Sequence, residues 1–325
     1  MKRILAYRFS AFGDVAMIVP VVKAFLAQHP DCQIVMVSRR QFAPLFEGIG
    51  GLEFHGVNLD HYKGPKGLLT LFSLLESQFK PDFIADLHDV IRTKTITTLF
   101  SFKGYKTSIL DKGKEEKKEL IRLWDKKFRP LKPTTERYAD VFRALGFDFS
   151  LSHNLESTVL SRQGIGLAPF AQHKGKMLPL EKTFELARRL STSEHIYLFG
   201  AKGLEQQQLE EWESLIPGCT SLAGKLTLKE ELERISGLKV MISMDSANMH
   251  LASLVGTRCI SIWGSTHHYA GFLGYGQSES DVLEIKELTC RPCSVFGDKP
   301  CFREDYACLE EISVESIVAH LDRTL

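Results

Sequence analysis

The chain has no apolar run long enough to span a bilayer, no excess of one charge, no low-complexity tract and no short internal repeat. Each absence removes a class of function. Without about 20 consecutive apolar residues there is no membrane-crossing helix, so a cytoplasmic protein, or one peripheral to a membrane, is expected. The start, 1–8, returns to charge at Arg8 too soon to serve as a signal peptide and reads instead as a strand. With 41 Lys plus Arg against 40 Asp plus Glu, no overall field draws the protein onto nucleic acid. Neither the Gly-x-Gly-x-x-Gly fingerprint nor a Walker loop occurs, which demotes hydride transfer and ATP hydrolysis.

What is present is an ordinary globular composition, 44% hydrophobic and 25% charged, in 325 residues, a length that favours two domains. Short apolar strands alternate with amphipathic helices. Strands are expected at 3–7, 34–37, 83–87 and 106–110, with helices at 15–26, 67–79, 92–100 and 135–145. After a polar linker at 147–163 the alternation resumes, with strands near 165–168, 195–199, 219–222, 239–243 and 258–262. The helices between them fall near 181–192, 204–216, 227–236 and 247–255, and a terminal helix at 314–321 follows. This pattern predicts an α/β chain of two Rossmann-like, doubly wound parallel sheets, with domains at 1–155 and 156–325. Pro20 requires that its helix begin or kink nearby.

Ligands of such sheets bind beyond the carboxyl ends of the strands. Four polar turns lie there: 10–14, 86–93, 169–179 and 245–250. In the first, Gly13 gives backbone freedom and Asp14 opens a helix, where it serves either as a general base or as a plain N-cap. In the third, Lys176 is placed to neutralise a leaving phosphate, or is merely solvated. In the fourth, Asp245, Ser246 and His250 start a helix whose exposed N–H groups favour an anion, although the same residues make an ordinary cap. Gly256 is placed to end that helix in a left-handed conformation. Gly264, Ser265 and Thr266 form a further small hydroxyl-rich loop.

Taken together these residues resemble the bacterial lipopolysaccharide heptosyltransferases, glycosyltransferase family 9. Ser10-Ala11-Phe12-Gly13-Asp14 resembles their Ser-x-x-Gly-Asp turn, and Lys176-Met177-Leu178-Pro179 their Lys-x-Trp-Pro element. Asp245 to Leu251 resembles Asp-Ser/Thr-Gly-x-x-His-Leu, and Trp263-Gly264-Ser265-Thr266 is similar to their Phe/Tyr-Gly-Pro-Thr stretch. The order of the motifs is preserved along the whole chain. The resemblance implies the GT-B architecture and an inverting transfer, without metal or other cofactor, of heptose from ADP-heptose to the lipopolysaccharide inner core or a related glycolipid. Asp14 and Lys176 are then the catalytic pair, as base and leaving-group stabiliser. Donor contacts fall to Ala171, Gln172, Asp245, Ser246, Ala247, His250, Gly264 and Thr266. Ala247, Leu178, Ser265 and the pair His267-His268 depart from the family pattern, all in the donor half.

On the acceptor side the candidates are Ser10 and Gly13 of the first turn and, by their placement at the end of the 83–87 strand, His88, Arg92 and Thr93, joined by Lys117, Lys118 and Arg122. The last three come from 111–132, where nine basic and five acidic residues surround Leu120, Leu123, Trp124 and Phe128. Such a stretch suits an anionic glycolipid or the inner face of the cytoplasmic membrane, and equally a solvated face. Of seven cysteines, Cys32, Cys219 and Cys259 read as buried filler. Cys290, Cys293, Cys301 and Cys308 have a spacing compatible with a structural zinc, but only the first pair has the tight knuckle spacing, so free thiols are preferred. Two rivals to a transferase remain: a nucleotide-sugar epimerase or hydrolase on the same fold, and an inactive nucleotide-binding protein.

Overall fold

The apolar run Ile4-Leu5-Ala6-Tyr7 is fully buried, as a central parallel strand must be when helices cover both faces of its sheet. It belongs to β1 (Lys2–Tyr7), with β2 (Cys32–Arg39), β3 (Leu52–Val57), β4 (Phe83–Asp86) and β5 (Lys106–Ile109) around it. These strands pair in parallel in the order β3-β2-β1-β4-β5. In this computed structural model residues 1–157, 159 and 161–323 are described. Two residues of the expected linker and the last two of the expected second domain lie outside them.

The helical stretch after β1 is divided. Phe12–Ala16 and Ile18–Gln28 are separate helices meeting at Met17, so Pro20 falls in a first turn, where its missing N–H has no intrahelical partner to lose. Strand β3 escaped the sequence reading. Its residues, Leu-Glu-Phe-His-Gly-Val, sit at the sheet edge and only Val57 is buried, so they carry neither an apolar run nor clean alternation.

A second sheet contains β6 (Ile165–Ala168), β7 (Ile196–Leu198), β8 (Cys219–Ser221), β9 (Val240–Met244), β10 (Cys259–Ile262) and the two-residue β11 (Val282–Leu283). All are parallel, in the order β11-β10-β9-β6-β7-β8. Its core gathers Ile165, Leu198, Ile242 and Ile260 with Leu186 and Trp212 from the helices and Leu309 and Ile317 from the C-terminal segment. Cys219 and Cys259 are buried here, and Cys32 in the first unit, as expected of filler. Gly256 ends its helix at φ +67°, and a Cβ there would lie 1.9 Å from the carbonyl oxygen of Glu156.

Both sheets reverse their winding once. In the first the reversal separates β1 from β4, and in the second it separates β6 from β9. At such a switch point the following loops diverge to opposite faces and leave a crevice beyond the strand ends. The turns after β1 and β4 therefore meet, and so do those after β6 and β9.

The chain divides into residues 1–113 with 132–152, and residues 114–131 with 153–325. This changes the place of the basic stretch. Lys117, Lys118 and Arg122 were expected in the N-terminal acceptor domain, but 114–131 groups with the second unit. The reason is packing. Leu120 and Leu131 cluster with Ala270, Leu131 N–H donates to Tyr269 O at 2.9 Å, and the Phe128 ring sits 5.0 Å from His267. The Lys126 ammonium is held by the carbonyl oxygens of Thr289, Cys290, Arg291 and Pro292 at 3.2, 3.0, 2.6 and 3.0 Å. Within the stretch, Lys114–Leu120 is helical. Among the described residues no helix is long and apolar enough to cross a membrane.

Hydrogen bonds from a charged donor contribute about 1.5–3 kcal/mol. Lys126→Met should therefore loosen 114–131 from the second unit. Hydrogen exchange should rise in 114–131 and 289–292 while the amides of β1 and β4 keep their protection; unchanged exchange in 114–131 would refute the anchoring role.

Candidate active site

The first crevice is built from the turns after β1 and β4. Asp14, in the first turn of its helix, accepts the Ala11 N–H at 3.3 Å and forms an ion pair with Arg8 at 2.7 Å. The Arg8 side chain is 6% exposed and that of Asp14 28%, so a buried cation holds a carboxylate whose outer edge still reaches solvent. Arg8 is fixed in turn by the Leu87 carbonyl at 2.6 Å and by the ring of Tyr138, 5.5 Å from the guanidinium. Sequence reasoning missed Arg8 as a site residue. Its only signal was a charge closing an otherwise apolar strand.

Ser10 Oγ lies 3.3 Å from His88 Nε2, bringing together two of the expected acceptor residues. Burial, and then the nearby Arg8 and Lys112 cations, push the His88 imidazole down to about 3. It is therefore neutral at pH 7. Asp86 supports this turn from below: its carboxylate accepts the N–H groups of His88 and Asp89 at 2.9 and 3.0 Å, while burial raises its pKa. Arg92 is partly exposed at the start of the next helix. Thr93 does not point to a ligand. It is fully buried, and its hydroxyl links the Val90 N–H and carbonyl, so it shapes the helix start.

The second crevice lies where the turns after β6 and β9 meet. Lys176 Nζ is 2.9 Å from Asp245 Oδ2, and the Thr266 hydroxyl donates to the same oxygen at 2.8 Å. The Lys176 side chain is 16% exposed and that of Asp245 6%, so one ammonium edge remains open beside a largely buried ion pair. Ser246 occupies the N-cap of Ala247–Leu254 without a side-chain cap hydrogen bond, and its hydroxyl lies 3.1 Å from Ser243 Oγ. The ordinary capping alternative therefore does not apply here, since Ser246 offers the first-turn N–H groups no side-chain acceptor. His250 is buried one turn along the same helix.

Two glycines bring the loops close. A Cβ on Gly264 would lie 2.5 Å from the Gly175 carbonyl oxygen, and one on Gly175 would lie 2.4 Å from Ser265 Oγ. Ser265 donates to that carbonyl from both its N–H and its hydroxyl, each at 2.8 Å. Proline, which this sequence lacks at 265, could make neither bond, so the departure has a structural role in seating the Lys176 turn. Ala171 is partly exposed and Gln172 exposed on that turn.

A buried network missed by the sequence reading supports the Thr266 loop. Arg291 donates to the carbonyls of Gly264, Ile285, Trp263 and Thr266 at 2.5, 2.9, 3.0 and 3.1 Å and pairs with Glu284 at 3.2 Å. Burial pushes the Glu284 carboxyl up, but the hydrogen bond from His267 and the neighbouring Arg291 cation outweigh it and hold it at about 2. His267, His268 and Glu284 are close enough to suggest a metal site. The hydrogen bonds argue otherwise. His267 Nδ1 accepts the Tyr269 N–H at 3.0 Å, which assigns the ring proton to Nε2, directed at Glu284 3.1 Å away. Glu284 is already paired with Arg291 and hydrogen-bonded to His267, so its carboxylate serves an internal network and not a metal. In the second unit, Lys117 is buried with its ammonium 4.2 Å above the Phe272 ring, Lys118 pairs with Glu115 at 2.8 Å, and Arg122 is exposed.

The His88 shift has a definite sign. Its pKa is lowered from about 6.5 to about 3, so between those values the unfolded chain binds a proton that the folded one does not. Its contribution is complete above pH 6.5 and falls as the pH drops toward 3, by about 2 kcal/mol between pH 7 and 5. Urea unfolding at the two pH values should show His88→Gln losing less stability than the parent by about that amount. Equal losses would exclude a buried neutral imidazole.

Comparison with known proteins agrees with this architecture. Residues 114–299 match glycosyltransferase family 9 (heptosyltransferase). Lipooligosaccharide heptosyltransferase 2 of Campylobacter jejuni is 25% identical over 185 residues, 54% of this chain and 56% of that relative's length. The aligned stretch thus spans little more than half of that relative. Among solved structures, a family 9 glycosyl transferase from Veillonella parvula superposes with a TM-score of 0.74 at 16% identity, covering 99% of this chain and 96% of the other. The E. coli ADP-heptose lipopolysaccharide heptosyltransferase II gives 0.71 at 17% identity, covering 99% and 98%. At these identities the structures speak to the fold, two parallel-sheet α/β domains of the GT-B class. The family match covers residues 114–299, more than half of the chain, and with it the Lys176–Asp245–Thr266 site: the protein belongs to glycosyltransferase family 9, the heptosyltransferase family.

Proposed function

We propose that the protein is an inverting glycosyltransferase that moves a heptose from an ADP-activated donor to the inner core of lipopolysaccharide or a related glycolipid. The observation that carries the reading is the convergence of Lys176 and Thr266 on the buried Asp245 at the switch point of the second sheet, beside an uncapped helix start. In this reading the donor diphosphate sits against the N–H groups of 246–248, with Ser246, Ala247, His250, Gly264, Ala171 and Gln172 around it.

In the first unit the acceptor hydroxyl attacks the anomeric carbon while Asp14 takes its proton. The bond from that carbon to the phosphate oxygen breaks, the electron pair leaves with ADP, and the configuration inverts. Arg8 orients the Asp14 carboxylate. Lys176 meets the charge developing on the leaving oxygen, so no catalytic metal enters the scheme. Ser10, Gly13, His88 and Arg92 are the acceptor-side residues. The exposed Arg122, Leu123, Trp124 and Lys127 suit a peripheral contact with an anionic membrane at the inner face.

The test has two readouts. ADP and ADP-heptose should raise the melting temperature, and UDP- or GDP-sugars should not; a response confined to a UDP-sugar would overturn the donor assignment. With donor and core acceptor supplied, Asp14→Asn should lower kcat by about 10²–10⁴ while keeping the ADP shift. Lys176→Ala should lose about 10²–10³ in rate and weaken the shift. Turnover at the parental rate in both variants would refute the assigned roles, and sugar release without acceptor would indicate a hydrolase or epimerase.

A further inference from the structure

Cys290, Cys293, Cys301 and Cys308 are free thiols that line one pocket, and the turn between the second and third of them, 294–298, runs to the donor loops. That turn is fixed at both ends. At its start Cys293 and Ser294 donate their N–H groups to the Ser265 carbonyl at 3.0 and 3.2 Å. The buried Ser294 hydroxyl accepts the N–H groups of Phe296 and Gly297 at 3.3 and 2.9 Å and donates to Asp298 at 2.7 Å. On its far side Gly297, with φ +79°, packs so closely on Lys176 that a Cβ there would lie 2.4 Å from Lys176 Cγ. Phe296 stands at the tip, 57% exposed, with its ring 5.9 Å from that of Phe272. Phe272 belongs to the loop that follows Thr266, and its ring carries the Lys117 ammonium at 4.2 Å. An exposed phenylalanine is ordinary by itself; one held on a rigid turn against the stem of the site's cation is a ready aromatic surface.

We propose that Phe296, backed by Phe272, is the platform on which the sugar of the donor stacks, and so a determinant of which sugar is transferred. This rests on the donor reading above. In that reading Lys176 meets the oxygen that leaves with ADP, and that oxygen is bonded to the anomeric carbon, so the group beside the Lys176 side chain is the sugar. Gly297 touches the Lys176 stem, which sets the neighbouring Phe296 at the sugar end of the donor, with the diphosphate between it and the nucleoside. The chemistry fits a sugar better than a phosphate. A phenyl ring offers neither a hydrogen-bond donor nor a positive charge, whereas its electron-rich face attracts the polarised C–H groups along one face of a pyranose. A pyranose with an axial hydroxyl directed at the ring would lose that contact, so the platform selects on the configuration of one sugar face. Because Ser294 and Gly297 already order the turn, stacking costs little further freedom.

Titration calorimetry of the full chain with ADP and with ADP-heptose separates the contribution of the sugar from that of the nucleotide. Phe296→Ala should weaken ADP-heptose binding about 3- to 10-fold and leave that of ADP as in the parent. Phe296→Tyr, which keeps the ring face, should retain the parental affinity for both. Phe302→Ala removes another exposed aromatic of the same segment and should change neither titration. Each of these side chains is exposed, so the melting temperature without ligand should stay at the parental value. Parental affinity for ADP-heptose in Phe296→Ala would overturn the platform. Equal weakening of ADP and ADP-heptose would also overturn it, because the ring would then act on the Lys176 turn and not on the sugar. Failure of the parent to bind either compound would overturn the donor reading itself, and the platform with it.

Discussion

The buried ion pair between Lys176 and Asp245 is the interaction on which the second unit's site depends. Two opposite charges with little access to solvent are tolerated only when geometry and further hydrogen bonds satisfy them, and loss of one partner leaves a costly unpaired charge. Thr266 meets part of that requirement at Asp245. Its loop is tied down by Arg291, and Ser265 from the same loop holds the Gly175 carbonyl just before the lysine. The site is thus three loops bound to one another around a charge pair, and a ligand phosphate would complete an arrangement that already has its cation in place.

The first unit solves a related problem differently. Asp14 is more exposed than Asp245, and its partner Arg8 is the buried member of the pair. A buried guanidinium cannot be discharged at physiological pH, so the carboxylate beside it keeps a steady counter-charge whether or not a ligand is present. The outer edge of that carboxylate stays open to solvent, where a substrate hydroxyl can reach it. His88, kept neutral by burial and by Arg8, presents a hydrogen-bonding ring beside Ser10 without adding charge.

Much of this was legible in the chain. Apolar runs of four or five residues between amphipathic helices announce parallel strands, and polar turns at their ends mark where ligands bind. The turns at 10–14, 169–179 and 245–250 were found on that basis. Strand β3 was not, because an edge strand covered on few sides has no need of an apolar run. Arg8 and Arg291 were missed for another reason: a buried arginine looks like a surface arginine until the carbonyl oxygens that bury it are seen, that of Leu87 for Arg8 and those of Trp263, Gly264 and Thr266 for Arg291. The basic stretch misled because charge pattern records solvation and not attachment. Its place in the second unit follows from Leu120, Leu131, Phe128 and Lys126, whose partners lie more than a hundred residues away.

The sequence alone determined the class of sheet, the order of elements and the residue types at each turn, since these follow from periodicity and local backbone chemistry. Only the tertiary structure decided which turns meet. Strand order sets the switch points, and it is a property of long-range pairing that no local pattern encodes. That ordering brings Lys176 to Asp245 across 69 positions and Arg8 to the Leu87 carbonyl across 79, turning separate polar loops into sites.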